Sequence, residues 1–262
     1  MVQYDRLMHV LIELLSDEIT NTRQYASSAI LTLISFADNS HRIAMYGIGR
    51  LLHFLTVSLS NDDNEEVRIN IAESFFNLVR NCTDQDTMEL TCLHREVLRS
   101  LADAVVQDYS ADVRAYAARA LEWLASDIHH GSPGYGKVLD ALIKPIKWTK
   151  TACIFEALKS QALVEENRKP MVECEGILDT LAYLSSLHGV NDEEVRDCAL
   201  AAIEQLTREP SMRRIMATHE GIMTELTRAT FSQNGILDAY EEGDHTSRSI
   251  MKAALKNLAE EL

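Results

Sequence analysis

The chain has 262 residues, with 40 acidic side chains against 25 Lys and Arg, a formal charge of −15 and a pI near 5.0. That balance removes the long-range attraction to phosphate backbones, which argues against a nucleic-acid partner. Ten glycines, four prolines and 6% aromatics suit continuous helix rather than sheet, and no uncharged stretch is long enough to cross a bilayer.

Taken in chain order, the first predicted element is a helix from Gln3, with His9, Glu13 and Ser16 on its polar side. The next carries a signature that recurs along the chain. Arg23 is followed at plus 3, 6, 7 and 10 by Ala26, Ala29, Ile30 and Leu33. Arg68 is followed by Ile71, Ser74, Phe75 and Leu78, and Arg114 by Ala117, Ala120, Leu121 and Leu124. Arg196 with Ala199, Ala202, Ile203 and Leu206, and Arg248 with Met251, Ala254, Leu255 and Leu258, complete the clear copies. Each copy is one apolar helical stripe, in which small residues admit a neighbouring helix and larger ones fill the space behind it.

The anchors lie 45, 46, 82 and 52 residues apart, and the long gap holds a degenerate copy from Thr151, with Ile154, Ala157 and Leu158 but Gln161 at plus 10. Upstream of three anchors, a helix is expected to end in glycine before a new apolar run, at Gly49, Gly176 and Gly221. Acid runs precede two anchors: Asp62, Asp63, Glu65 and Glu66 before Arg68, then Asp192, Glu193 and Glu194 before Arg196. They read as helix starts, where carboxylates cap free amides and complement the helix dipole, in preference to an acidic binding patch. The anchor arginines are expected to tie neighbouring units or these acidic starts.

Several segments tempt a chemical reading. Residues 131–137 have the glycine and lysine spacing of a phosphate loop, but Val138 stands where a magnesium-binding hydroxyl is required, and the segment follows a helix rather than a strand. It is a connector. His129 with His130, and Cys82 and Cys92 with His94, lack the further ligands that zinc spacing demands. Glu241, Glu242 and Asp244 lie in an extended loop between Gly221 and Arg248. No nucleophile, base and orienting group can be assembled from these motifs, so no enzyme activity, cofactor, metal or small-molecule substrate is expected. Five cysteines without close pairs, and early apolar residues broken by Asp5, Arg6 and Glu13, fit a cytoplasmic or nuclear protein.

The segments Asn167 to Ile177, Asp192 to Arg196, Arg213 to Ile222 and Asp112 to Arg114 resemble the armadillo repeat. The resemblance extends over roughly residues 3 to 258 and rests on recurrence at a period above 40 residues. It implies an all-α, right-handed α-solenoid of about six repeats forming a single domain over 1–262. A short first helix and two longer ones would make each repeat, with the third helices lining a concave groove. The chain would open on a second helix at Gln3, its first helix having no room.

With the core direction set by the signature, plus 5 and plus 9 point the other way. The candidate groove residues are therefore Ser28, Thr32, Glu73, Asn77, Arg119, Trp123, Gln205 and Asn257, with Ala201 and Ala253 at the remaining plus 5 positions. In armadillo proteins similar to nuclear import receptors, plus 5 is often tryptophan and plus 9 asparagine. Only Asn77 and Asn257 keep that asparagine, and no plus 5 residue is tryptophan, which argues against the reading of nuclear localisation signals. Trp123 one turn from Arg119 is either a stacking platform for a partner or a side chain packed on the irregular segment after it. The resulting expectation is a scaffold or adaptor holding an extended peptide or helix of another protein. The alternative is a co-chaperone resembling the armadillo-type exchange factors of Hsp70.

Overall fold

The computed structural model describes the backbone of residues 2–81, 95–127, 135–146, 152–187, 192–231 and 245–259. Side chains are described within 6–36, 49–81, 96–126, 135–145, 154–187, 192–228 and 249–259, apart from Met251. The described chain is helical throughout and divides into two compact units, Met1–Thr149 and Lys150–Leu262.

The first unit contains α1 (Val2–Leu14), α2 (Thr20–Ser35), α3 (Ala37–Asn61), α4 (Glu65–Asn81), α5 (Arg95–Gln107), α6 (Ala111–Asp127) and α7 (Tyr135–Ile146). The second contains α8 (Ala152–Leu163), α9 (Glu165–Glu173), α10 (Ile177–Ser185), α11 (Glu193–Thr207), a 3-10 turn at Pro210–Met212, α12 (Arg213–Thr218), α13 (Glu220–Phe231) and α14 (His245–Ala259). The signature copies form α2, α4 and α6, then α8, α11 and α14. Within each unit these third helices pack side by side, α2 on α4 on α6, and α8 on α11 on α14.

Burial explains why the signature takes this form. In α4, α6 and α11 both flanks are covered: Ser74 and Leu78, Ala120 and Leu124, and Ala202 and Leu206 at plus 6 and plus 10, with Ala72, Phe75 and Val79, Ala118, Leu121 and Ala125, and Leu200, Ile203 and Thr207 at plus 4, 7 and 11. The end helices separate the two flanks. In α2 the plus 4, 7 and 11 residues Ser27, Ile30 and Ile34 are buried while Ala29 and Leu33 are half-exposed. In α14 the reverse holds: Ala254 and Leu258 are buried, Leu255 is half-exposed, and Lys252 and Ala259 are exposed. Plus 6 and 10 therefore meet the preceding third helix, and plus 4, 7 and 11 the following one. The degenerate copy departs from the signature at one position. Its polar plus 10 residue, Gln161, is buried and accepts a 2.8 Å hydrogen bond from the Asn167 amide of α9, which satisfies the buried oxygen.

Arg23 and Arg68 are clamps between successive units of the repeat. Arg23 donates through Nε and Nη2 to Asp62 at 2.8 and 3.2 Å and reaches Asp63 at 2.6 Å. Arg68 grips Asp108 in the same way at 2.7 and 3.2 Å. Each arginine also donates to the carbonyl six residues before it, Asp17 for Arg23, Asp62 for Arg68 and Asp108 for Arg114. This corrects the reading of Asp62, which accepts the Asn64 amide and holds Arg23, while Asn64 caps α4 by accepting the Val67 amide at 3.0 Å.

The glycine landmarks need correction at two of three positions. Gly176 has φ of 84° and precedes α10, as a left-handed helix junction requires. Gly49 instead lies inside the continuous 25-residue helix α3, which fuses the short and long helices expected to be separate. Gly221 is the second residue of α13; the break falls at His219, whose backbone is extended. Its lack of a side chain serves packing, since a Cβ there would stand 3.0 Å from the Cβ of Ala182 on α10.

Candidate functional site

Two faces of third helices, one in each unit, carry the candidate residues. In the first unit, Ser28 and Thr32 are exposed on α2, and the Thr32 hydroxyl donates to the Ser28 carbonyl at 2.8 Å. On α4, half-buried Glu73 acts electrostatically on the Tyr116 phenol of α6. Burial first, and then this carboxylate, push the Tyr116 phenol above its ordinary pKa.

Beside that pair is an aromatic and guanidinium cluster that sequence reasoning located only in part. The Arg119 guanidinium lies 4.7 Å from the centroid of the buried Phe76 ring, and Arg80 stands 5.4 Å from it. Tyr116 packs against the same ring, tilted by 41° with centroids 6.2 Å apart. Trp123, one turn beyond Arg119, is 38% exposed. Phe76 escaped notice because plus 8 belongs neither to the core signature nor to the outward positions.

The plus 9 asparagines turn toward the preceding third helix rather than away from it. Asn77 is only 7% exposed and its amide donates to Ser35 Oγ at 3.4 Å, so it is not the open side chain expected. Half-buried Asn257 donates to Thr207 Oγ1 at 3.1 Å. Gln205, also half-buried, donates to Glu204 at 2.8 Å. The physical reason is that close helix packing brings plus 9 within reach of the preceding helix's last turn.

The second unit holds a cluster that the sequence reading missed. Lys159 donates to Glu156 Oε1 at 2.7 Å, and the Cys198 thiol donates to the same oxygen at 3.1 Å. With Glu193, Glu194, Asp197 and Ile250 they line a recess of about 750 Å³ between third helices. The Lys159 hydrogen bond, then that of Cys198, hold the Glu156 carboxyl below its usual pKa, and the same contact with Glu156 raises Lys159. Burial first, then Glu156, push the Cys198 thiol up to about 12, so at neutral pH it is a protonated donor rather than a thiolate nucleophile. Four carboxylates against one ammonium make this recess acidic. The signal that could have found it is positional. Cys198 is a plus 2 residue and Glu156 the plus 5 residue of the preceding copy, the relation that also joins Tyr116 to Glu73.

Among the described residues no group of three or more His, Cys, Asp and Glu side chains could hold a metal ion, and no helix is long and apolar enough to cross a membrane. The pairs His129 with His130 and Cys82, Cys92 with His94, residues 131–134 of the glycine-rich connector, and Glu241, Glu242 and Asp244 lie outside the described residues.

No protein-family model and no curated protein matches this chain. Solved structures do. A designed armadillo repeat protein in complex with the peptide (KR)4 is similar with a TM-score of 0.60 at 17% identity, over 95% of this chain and 98% of that one. A second designed armadillo repeat protein gives 0.58 at 17% identity, over 95% and 98%. The chain has the armadillo-type repeat fold. A structure of the interaction between cadherin and beta-catenin matches at 0.55 and 16% identity, over 96% of this chain but 45% of that one. At these identities the likeness extends to the fold.

Proposed function

We propose that residues 1–262 form one armadillo-type domain that acts as a protein-interaction scaffold, holding an extended peptide or helix of a partner along its third-helix face. The observation that carries this reading is the platform of Arg119 on Phe76 beside exposed Trp123. Arginine and tryptophan together supply planar contact area and charge, the combination enriched at energetic centres of interfaces. Exposed Ser28 and Thr32 extend the face on one side of it. In the second unit, the acidic recess favours a partner segment bearing Lys or Arg. The (KR)4 peptide on a designed armadillo neighbour supports the same mode of use.

The test is affinity capture from a lysate with mass spectrometry, using wild type beside a Trp123→Ala, Arg119→Ala variant whose helical circular dichroism is unchanged. A protein retained by wild type and lost by the variant supports the platform and identifies the partner. Identical retention by both baits moves the function off this face. Nucleotide-dependent recovery of an Hsp70 would instead favour an exchange factor.

A further inference from the structure

The first unit presents a face whose charge is opposite to that of the chain. Plus 5, 9 and 12 lie within about 60° of one another around a helix. Of the nine residues at these positions in α2, α4 and α6, Arg80 and Arg119 are basic, Glu73 is acidic and the other six are uncharged. The chain as a whole has 40 acidic residues against 25 Lys and Arg.

Arg80 and Arg119 are set apart by their surroundings. In the same unit Arg23, Arg50, Arg68 and Arg99 each have a carboxylate within 3.7 Å. Arg80 and Arg119 are exposed, and no carboxylate pairs with either among the described residues. Both instead meet the Phe76 ring, at 5.4 and 4.7 Å from its centroid. A guanidinium held against a ring keeps N–H donors at its edge, and these match a carboxylate in a two-pronged contact. Glu73 leaves them open: it and Arg119 act with opposite sign on the Tyr116 phenol.

Trp123 fixes a second point. It is 38% exposed and one turn beyond Arg119, which places the two residues about 6 Å apart along the helix. Two residues of an extended chain cover about 6.5–7 Å and return the side chain to the same side. An acidic residue that meets Arg119 therefore brings the residue two places away to the indole, where an aromatic side chain gains contact area.

We propose that this face takes an acidic segment: an extended stretch of a partner protein whose Glu or Asp carboxylate is held by Arg80 and Arg119, with an aromatic residue two positions away on Trp123. The proposal rests on the scaffold reading above and gives the occupant of its platform a chemistry. It also assigns opposite preferences to the two units, since the recess beside Glu156 suits Lys or Arg.

Fluorescence anisotropy with the full chain tests this in about 0.15 M salt. The probes are labelled peptides of three Glu-Ser-Trp-Ser units, beside versions with Gln or Lys in place of Glu and Ala in place of Trp. Wild type should bind the Glu peptide at least about tenfold more tightly than the Gln and Ala versions, as a charge-assisted contact and an aromatic anchor imply. Arg80→Gln combined with Arg119→Gln should abolish that preference, with helical circular dichroism and affinity for the Lys peptide unchanged. Equal binding of the Glu and Gln peptides, no binding of the Glu peptide, or a preference that survives the double variant would each overturn the acidic occupant. Lysate capture reads the scaffold function separately. A partner lost by the Trp123→Ala, Arg119→Ala bait while the Glu peptide is not selected removes the acidic occupant alone, whereas identical retention by both baits with peptides that do not discriminate removes the scaffold reading as well.

Discussion

Replacing Asp108 by alanine tests whether the recurring arginine is a clamp between repeats. Arg68 makes a two-pronged contact with Asp108, at 2.7 and 3.2 Å, and a third bond at 2.9 Å to the Asp62 carbonyl. The side chains are 14% and 7% exposed, so the pair is largely removed from water. Asp108→Ala leaves the guanidinium with one of these three bonds, and it also removes the acceptor of the Ser110 amide. Breaking a fully buried pair from one side costs about 3–5 kcal/mol. An exposed pair contributes about 0–1 kcal/mol. The residual exposure lowers the first figure and the lost Ser110 bond adds about 1 kcal/mol, which places Asp108→Ala at about 2–3 kcal/mol.

Urea unfolding followed by far-ultraviolet circular dichroism measures this, with Arg68→Met and the double variant completing a cycle. The two residues should show a coupling energy of about 1.5–2 kcal/mol, within the range for directly bonded neighbours. Because the pair is mostly buried, the loss should persist in salt of about 1 M, where the screening length is near 3 Å. Strictly additive single variants, or a loss under about 0.5 kcal/mol with unchanged denaturant slope, would refute the clamp and leave the arginine as an ordinary surface charge.

Two glycines should respond in opposite directions. Gly221→Ala forces a Cβ to 3.0 Å from that of Ala182 and should destabilise by about 1–3 kcal/mol, whereas Gly136→Ala, with nothing within 4 Å, should stabilise by about 0.5–1 kcal/mol, both read from urea midpoints. Cys198 predicts an alkaline limb. Its folded pKa of about 12 exceeds the unfolded value near 8.5, so its contribution is full below about pH 8.5 and is lost as pH rises toward 12. Cys198→Ala should flatten that limb in urea midpoints measured across the alkaline range. An unchanged slope would mean that the thiol is not protected by burial and Glu156.

The third helices were legible because their signature records packing directly: a residue small enough for close approach at Ala117 or Ala199 and a filler such as Leu121 or Ile203 repeat wherever the same neighbour recurs. The degenerate copy at Thr151 was legible by interval, though only the structure shows how Gln161 is satisfied. What the sequence concealed depends on two strands of information meeting in space. Gly49 and Gly176 look alike in sequence, but one is carried within a continuous helix and the other takes a left-handed turn, a difference set by tertiary packing. Asn77 was placed on the outward side by an idealised helix of one turn direction, yet a neighbouring helix close enough to offer Ser35 Oγ turns plus 9 into a contact. The Glu156, Lys159 and Cys198 cluster was hidden for the same reason, because its members come from separate copies.

Packing and recognition draw on the same positions of the third helix, and this decides which residues remain for a partner. A plus 2 side chain meets a plus 5 carboxylate of the preceding copy in each unit: Tyr116 feels the charge of Glu73, and the Cys198 thiol donates to Glu156. In the second unit both Glu156 oxygens are engaged, Oε1 by Cys198 and Lys159 and Oε2 by Lys159 at 2.5 Å. The plus 9 amides of Asn77 and Asn257 are directed instead at Ser35 and Thr207, which reduces their freedom to grip an extended backbone. By contrast Trp123 is exposed, and its indole N–H has no partner among the described residues. Arg119 keeps its donors while its planar face rests on Phe76. A partner meeting this face would therefore find a rigid aromatic and guanidinium surface, already positioned by the contact between α4 and α6, so that little side-chain entropy is lost when it binds.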